Sequence, residues 1–484
     1  MTGRVDTMFK NGSLVTHEGI IRVGIAIDAG KIVAIGDERL MPEAKEVIDA
    51  RGKYILPGLI DPHQHPGGQR GFLEDIRSES RLAALGGVTS VLGTVKSPRI
   101  SRTHKQFVQP EDVVSYKKVF AEAKEIVETE ATVDIGFNFA IMSDEQASEI
   151  PEYAEEFGVT SYKFYVGYRI KAEYLLPRFN EFAGFPVTGW DDGTMLIAFE
   201  NIAKIGGLAL IHAENTQLVR VLHQRVVASG RKDLVAWYQR SPGWVEASHV
   251  VTYAHLAKVT GCTLYVVHTC SKEGLDEIRH AKSRGVKIIS EVCPHYLIID
   301  PEDPFPGVFA KINTPIQDTP SRNALWEGIK DGVVECVGTD QLPGLKKERF
   351  VEGDAWKSTA VGISSVHHLL PLMITEGYYK RGIPLETLVK ICSFNNAKYF
   401  GLYPRKGAIQ VGSDADLVVV DLEKTRVLRA EEWPTACDWS IYEGRELRGW
   451  PILTMLRGRI IMKDGEIIGK PSGQYLYRQT MANK

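Results

Sequence analysis

The sequence predicts an α/β protein: a (β/α)8 barrel of the TIM type, with a β-sandwich built from both chain termini. Two observations predict the barrel. Eight short apolar runs recur between roughly 58 and 405, and helical patterns such as DVVSYKKVFAEAKEIV and SKEGLDEIRHAKSRG separate most of them. Apolar strands joined by helices pair in parallel, and eight such units close on themselves. An open, doubly wound sheet uses the same alternation, but the count of eight favours the barrel. A third observation predicts the sandwich: both ends of the chain share a texture of short strands punctuated by glycine.

At the N-terminus, DTMFKNGSLV, RVGIAIDAGKIVAIGD and KEVIDARGKYILPG read as strands, with Gly, Asn and Asp at the turns. The barrel runs follow in order: GLIDPHQH, VTSVLGTV, VDIGFNFAI, TSYKFYVGY, LALIHAEN, TLYVVHTC, KIISEVCPHY and VECVGTD. GAIQVGSDADLVVVDL and ILTMLRGRIIMKDGEII then return to the terminal texture. DAGKIVAIGDE and LRGRIIMKDGEIIG even share a basic-plus-apolar hairpin rhythm. Neither end alone has chain enough for a stable sheet, so the two are expected to meet in one sandwich. The expected division is 1–57 with 406–470 for the sandwich, 58–405 for the barrel and 471–484 for a C-terminal tail.

Composition narrows the function. The chain has 484 residues and a formal net charge of −3, which argues against nucleic acid or an anionic membrane as partner. MTGRVDTMFKNG lacks the pattern of a secretory signal, and no apolar stretch reaches the roughly 18–20 residues that span a bilayer. The six cysteines (262, 270, 293, 336, 392 and 437) form no C-x-x-C pair and no disulfide framework. A reduced, cytoplasmic location is expected.

Rare residue types sit where the runs end. GLIDPHQH ends in His63 and His65, which leave a strand on the same face because side chains alternate. The pair reads either as metal ligands or as two partly solvated loop histidines. Lys163 lies in the fourth run, His212 after the fifth, His268 after the sixth, and Asp340 ends the eighth. In a barrel these ends share one mouth, so four histidines, a lysine and an aspartate converge, which favours the metal. An ammonium repels a cation, so Lys163 is either a salt-bridged strand-end lysine or an N-carboxylated one. Addition of carbon dioxide makes an anionic carbamate able to bridge two metals about 3.5–4 Å apart.

PGLIDPHQH, YKFYVGY, IHAEN, VVHTCS, ALWEGIKDGVVECVGTD, FGLYPRKGAIQVGSDADLVVVD and YEGRELRGWPILTMLRGRII occur in an order and spacing that resemble the amidohydrolase superfamily. The resemblance is to its hydantoinase, dihydropyrimidinase and dihydroorotase branch, the cyclic amidohydrolases. It implies that His63 and His65 bind a first divalent metal, His212 and His268 a second, and that carboxylated Lys163 bridges them. It implies that Asp340 binds the first metal and shuttles protons, and that Tyr168 hydrogen-bonds the substrate carbonyl. A water activated between the metals then opens a cyclic amide, imide or ureide. Zinc suits the ligand set, with manganese, iron, cobalt or nickel as alternatives. Members of the branch are often homotetramers.

The resemblance weakens around the ring. Asp340-Gln341-Leu342-Pro343 replaces Asp-His-x-Pro, and Asn313-Thr314-Pro315 stands where hydantoinases have Ser-Pro-Pro, making Asn313 a candidate substrate contact. VEGDAWKSTAVGISSVHHLL lacks the branch's Asn-Gly stretch. Gly67 occupies the place of the arginine that receives a carboxylate in dihydroorotases, so an uncharged ring is expected unless Arg70 compensates. His295 reads as a strand-end histidine and His367-His368 as part of a helix face. Two other functions compete. One is a non-catalytic scaffold like the collapsin-response-mediator proteins, which have lost metal ligands; the other is a hydrolase of linear N-acyl or carbamoyl amides.

Overall fold

The computed structural model describes residues 4–68, 70–100, 113–166, 191–301, 307–351, 353–358, 363–435 and 437–479. Eight parallel strands follow the eight apolar runs: β1 Leu59–Gln64, β2 Val88–Val95, β3 Asp134–Ala140, β4 Ser161–Phe164, β5 Leu208–Ile211, β6 Thr263–Val266, β7 Ile288–Val292 and β8 Val334–Val337. Each pairs in register with the next in chain order. Nearly every strand residue is buried, because helices cover the outside and side chains fill the inside.

The last seam, between β8 and β1, closes just past the end of β8. His65 N donates to Gln341 O at 2.9 Å, and Gln341 N donates to His63 O at 3.3 Å. Buried Asp61 on β1 accepts from Thr339 N at 3.0 Å and from Thr339 Oγ1 at 2.5 Å. The seam therefore holds His63, His65 and Asp340 in adjacent backbone.

The helices start where side chains cap them. Ser271 Oγ accepts from Gly274 N at the start of the helix Lys272–Ser283, and Asp318 and Asn215 cap Thr319–Lys330 and Thr216–Ala228 in the same way. DVVSYKKVFAEAKEIV begins with a 3-10 turn, Tyr116–Lys118, and becomes α-helical only over Phe120–Glu130.

The terminal strands form two sheets. One is N-terminal alone, ordered Lys31–Gly36, Gly24–Asp28, Val5–Lys10, Ala44–Asp49. The other has seven strands and joins the termini, since Tyr54–Pro57 lies antiparallel to Leu417–Val427. One apolar cluster, including Phe9, Ile25, Ile55, Leu417 and Met455, draws on both sheets. The hairpin rhythm of the sequence corresponds to real hairpins. Their two-residue turns, Ala29-Gly30 and Arg457-Gly458, have positive φ at both positions (47° and 78°, 44° and 75°), as type I′ requires.

Part of the stretch assigned to a tail packs under the barrel. Ile135 N donates to Gln474 O at 3.0 Å and Leu476 N to Ile135 O at 2.9 Å. Leu476 joins Ile60, Leu92, Leu208 and Phe400 in the apolar plug of the barrel floor. Among the described residues no helix is long and apolar enough to cross a membrane. The six cysteines are free and buried.

Candidate metal centre

The mouth opposite that floor gathers the residue types singled out in the sequence. His63 is the penultimate residue of β1 and His65 follows the strand, their ring centroids 5.0 Å apart. Asp340 Oδ1 lies 2.8 Å from His65 Nε2 and 3.4 Å from His63 Nε2. Lys163 Nζ on β4 is 3.2 Å from His63 Nε2. His212, just past β5, brings Nδ1 within 2.8 Å of Nε2 of His268, past β6. The His63 and His268 rings are 5.6 Å apart, which joins the two groups into one cluster.

Carboxylates aim two of the imidazoles. His63 Nδ1 donates to Glu291 Oε1 at 2.8 Å, so its Nε2 lone pair faces Asp340 and Lys163. Glu291 is held in turn by Tyr265 Oη and by the His268 backbone N–H, both at 3.0 Å. His212 Nε2 faces Glu214 Oε2 at 3.5 Å, which turns Nδ1 toward His268. Glu291 and Glu214 were not singled out from the sequence. Glu214 had a signal, since a carboxylate two residues after a strand-end histidine can brace it. Glu291 had none, lying inside an otherwise ordinary strand.

Burial dominates the electrostatics. It pulls His65 down to about 4 and lowers His212 and His268, so these imidazoles are neutral and carry lone pairs. It lowers the Lys163 ammonium to about 8, against the pull of Asp340 and Glu291. For Asp340 burial works in the opposite sense, but His63 and His65 outweigh it and hold the carboxyl well below the usual range. His268 and Asp340 also adopt left-handed backbone, with φ of 42° and 53°. Such non-glycine conformations cost on the order of 1–3 kcal/mol each and concentrate at functional sites.

The donor set fits divalent metal. The ligand atoms of His63, His65 and Asp340 lie within 4.8 Å of one another. Imidazole nitrogens and a carboxylate converge, and the outward faces of His63 and His212 are braced by carboxylates as metal-bound histidines require. The described residues thus bring together all six candidate ligands. Tyr168 lies outside the described residues. Tyr165 is inside them, its Oη 3.4 Å from His65 Nδ1 and its ring beneath the ammoniums of Lys96 and Lys163 at 5.1 and 5.3 Å.

The remaining candidates separate. Asn313, in the connection after β7, accepts at Oδ1 from Arg240 at 2.8 Å. Gln341 braces the seam: its Nε2 donates to Glu79 and Ser364, and its Oε1 accepts from Ser365 N and Val366 N. Arg70 faces Asp75 and Glu74 on the helix Phe72–Leu85, at 3.6 and 3.7 Å. His295 is buried near the metal cluster, where burial lowers it to about 4. His367 and His368 pack against Trp433.

Similarity to known proteins agrees with this geometry. The profile of the amidohydrolase family matches residues 177–461. The chain belongs to the amidohydrolase family. Among its family relatives, a D-hydantoinase of Geobacillus stearothermophilus is 30% identical over 482 residues, covering 97% of this chain and 96% of its own. An allantoinase of Rubrobacter xylanophilus is 31% identical over 477 residues and covers 98% of each chain. The crystal structure of a dihydropyrimidinase from Brevibacillus agri superposes with a TM-score of 0.85 at 27% identity, over 98% of this chain and 99% of that one.

Proposed function

We propose that this amidohydrolase opens a cyclic amide, imide or ureide by hydrolysis at a binuclear metal centre. The observation that carries the reading is the convergence of four histidines, Lys163 and Asp340 at one barrel mouth. Its hydantoinase, dihydropyrimidinase and allantoinase relatives support the substrate class. His63 and His65 would hold one ion with Asp340, and His212 and His268 the other. Lys163, as its carbamate, would serve both. Two bound divalent cations, zinc foremost, would polarise the scissile carbonyl and ease ionisation of the attacking water.

The chain's own groups do the rest. Asp340 takes the proton of the attacking water at its carboxylate and returns it to the leaving ring nitrogen. Tyr168 donates to the carbonyl oxygen as charge develops there, and Asn313 contacts the ring. Glu291 and Glu214 keep His63 and His212 in the tautomers and orientations that face the ions. The resemblance also supports a homotetramer, which sedimentation of the purified protein tests.

Elemental analysis should find two metals per chain, and a panel of hydantoin, dihydrouracil, allantoin and open-chain N-acyl amides should show ring opening. Fewer than one metal, with no activation by added metal, favours the scaffold alternative. Turnover confined to open-chain amides favours the linear one. Lys163→Ala should lose metal and activity together, and unmodified amine density at Lys163 in a fully metallated crystal would overturn the carbamate.

A further inference from the structure

A buried polar chain runs through the barrel interior, from the floor to the strands that carry the metal cluster. It starts in the C-terminal segment packed under the barrel. Arg478 N donates to Gly158 O at 3.1 Å, at a glycine where a Cβ would meet that nitrogen at 2.8 Å. The Arg478 side chain then turns into the barrel. Its Nη2 donates to Phe137 O on β3, and its Nη1 donates to Ser161 Oγ, at the start of β4, at 2.7 Å. Ser161 Oγ donates to Asn138 Oδ1 on β3. Asn138 Nδ2 donates to Pro62 O on β1 at 3.0 Å and reaches Leu92 O on β2 at 3.4 Å. Arg478, Ser161 and Asn138 are all buried.

The guanidinium sets the direction of this chain. It has donors and no acceptor, so Ser161 Oγ must accept from it and donate its own proton onward to Asn138. Asn138 therefore keeps its oxygen toward Ser161 and its N–H groups toward β1 and β2. Burial lowers the guanidinium to about 10, so it remains charged at neutral pH. Its side-chain partners in the barrel are a hydroxyl and a carbonyl rather than a carboxylate. Burying a cation in this way is costly, while its charge strengthens the hydrogen bonds that follow it. An apolar side chain would fill the space without that cost, which points to a role beyond packing.

The far ends of the chain lie next to metal ligands. Pro62 precedes His63 on β1. Ser161 and Lys163 are two residues apart on β4 and so share its inner face. Backbone ladders fix each strand against its neighbours, but β2 and β3 stand between β1 and β4. The Asn138 amide crosses that gap, bonding β1 from β3 and receiving β4 through Ser161. It thus adds a direct tie between the two strands whose ligands, His63 Nε2 and Lys163 Nζ, lie 3.2 Å apart.

We propose that Arg478, Ser161 and Asn138 are positioning residues of the metal centre, through which the docked C-terminal segment holds the strands of His63 and Lys163 in register. The proposal rests on the reading of the mouth as a binuclear metal site. Such sites need their ligands held within about 0.5 Å of the productive geometry, a tolerance that apolar filling alone does not enforce.

The test measures metal affinity of the full chain by chelator competition, together with the visible spectrum of the cobalt-loaded protein, which reports ligand geometry without turnover. Arg478→Met should weaken metal binding about tenfold and shift the cobalt spectrum. Arg478→Lys keeps a charged donor and should recover most of both. Ser161→Ala should weaken binding by a similar factor. The double variant Arg478→Met/Ser161→Ala should lose little more than either single one, because both break the same chain. Tyr475→Phe removes a 3.0 Å hydrogen bond to Phe157 O from the same segment and should leave affinity and spectrum unchanged. Wild-type affinity in Arg478→Met, additive losses in the double variant, or an equal loss in Tyr475→Phe overturns the proposal. If Arg478→Met does not fold, Ser161→Ala decides, and wild-type affinity and spectrum in that variant overturn the proposal. Wild type that binds fewer than one metal overturns the proposed function and this proposal with it, whereas two metals bound equally well by wild type and Ser161→Ala overturn this proposal alone.

Discussion

At the metal cluster the imidazoles and the aspartate have separable jobs, and single substitutions tell them apart. Glu291→Gln weakens the acceptor that fixes His63, so metal affinity should fall about 10–100-fold in a chelator competition. Asp340→Asn keeps a metal-facing oxygen but cannot take a proton; most of the metal should remain while kcat falls on the order of 10³-fold. Near-normal turnover by Asp340→Asn would remove it from the proton path. Lys311, buried in the connection after β7 with its ammonium 4.0 Å from the centroid of the Trp237 ring, gives a pH signature. Its folded pKa, about 7, lies below the ordinary 10.5, so the unfolded chain binds more protons between those values and wild-type stability rises across that window. Lys311→Met removes the burial cost: its melting temperature should exceed that of wild type most near pH 7, with the gap closing toward pH 10. The ligands were legible in the sequence because histidine, lysine and aspartate are conspicuous at the ends of apolar strands. Glu291 was not, because its role depends on which strands the closed barrel sets side by side.

Among the elements, the seam between β8 and β1 shows how the barrel carries its site. Gln341 follows Asp340 in the chain, and its side chain turns into the scaffold, satisfying Glu79, Ser364 and two backbone N–H groups. Gln341→Leu strands these buried partners and should cost about 3 kcal/mol or more in denaturant unfolding. Asp340 is its neighbour, so metal occupancy should fall with it; unchanged stability would mean that water replaces the amide. The strands themselves were readable because burial on both faces leaves uninterrupted apolar runs. The hairpins were readable because their turns need glycine. The split of the terminal strands into sheets of four and seven was not, since it follows from Tyr54–Pro57 pairing with a strand at the other end of the chain. Local pattern carries no record of that partner.

Across the whole molecule, a buried charge network ties the barrel floor to the terminal sheets. Asp134 at the base of β3 and Asp414 and Asp416 ahead of the strand Leu417–Val427 are grouped closely enough to hold a cation. The cation is already there: Lys406 Nζ lies 2.7, 3.1 and 2.6 Å from the three carboxylates. Arg457 also donates to Asp134, and Lys31 reaches Asp414 at 2.6 Å, so sequence-distant segments share one set of charges. The carboxylates hold the Lys406 ammonium above its ordinary pKa despite burial, and Lys406 and Lys31 lower Asp414. Lys406→Met leaves three acids without their central partner and should cost about 3–5 kcal/mol near neutral pH. The sign with pH follows from those shifts. The contribution of Lys406 is complete below pH 10.5, and that of ionised Asp414 is lost as pH falls through its lowered pKa. As acid neutralises the carboxylates, their mutual repulsion in Lys406→Met disappears too. The melting-temperature gap between wild type and Lys406→Met should therefore be widest near pH 7 and narrow steadily below pH 4; a gap that stays constant across that range would mean that Lys406 acts through packing rather than charge.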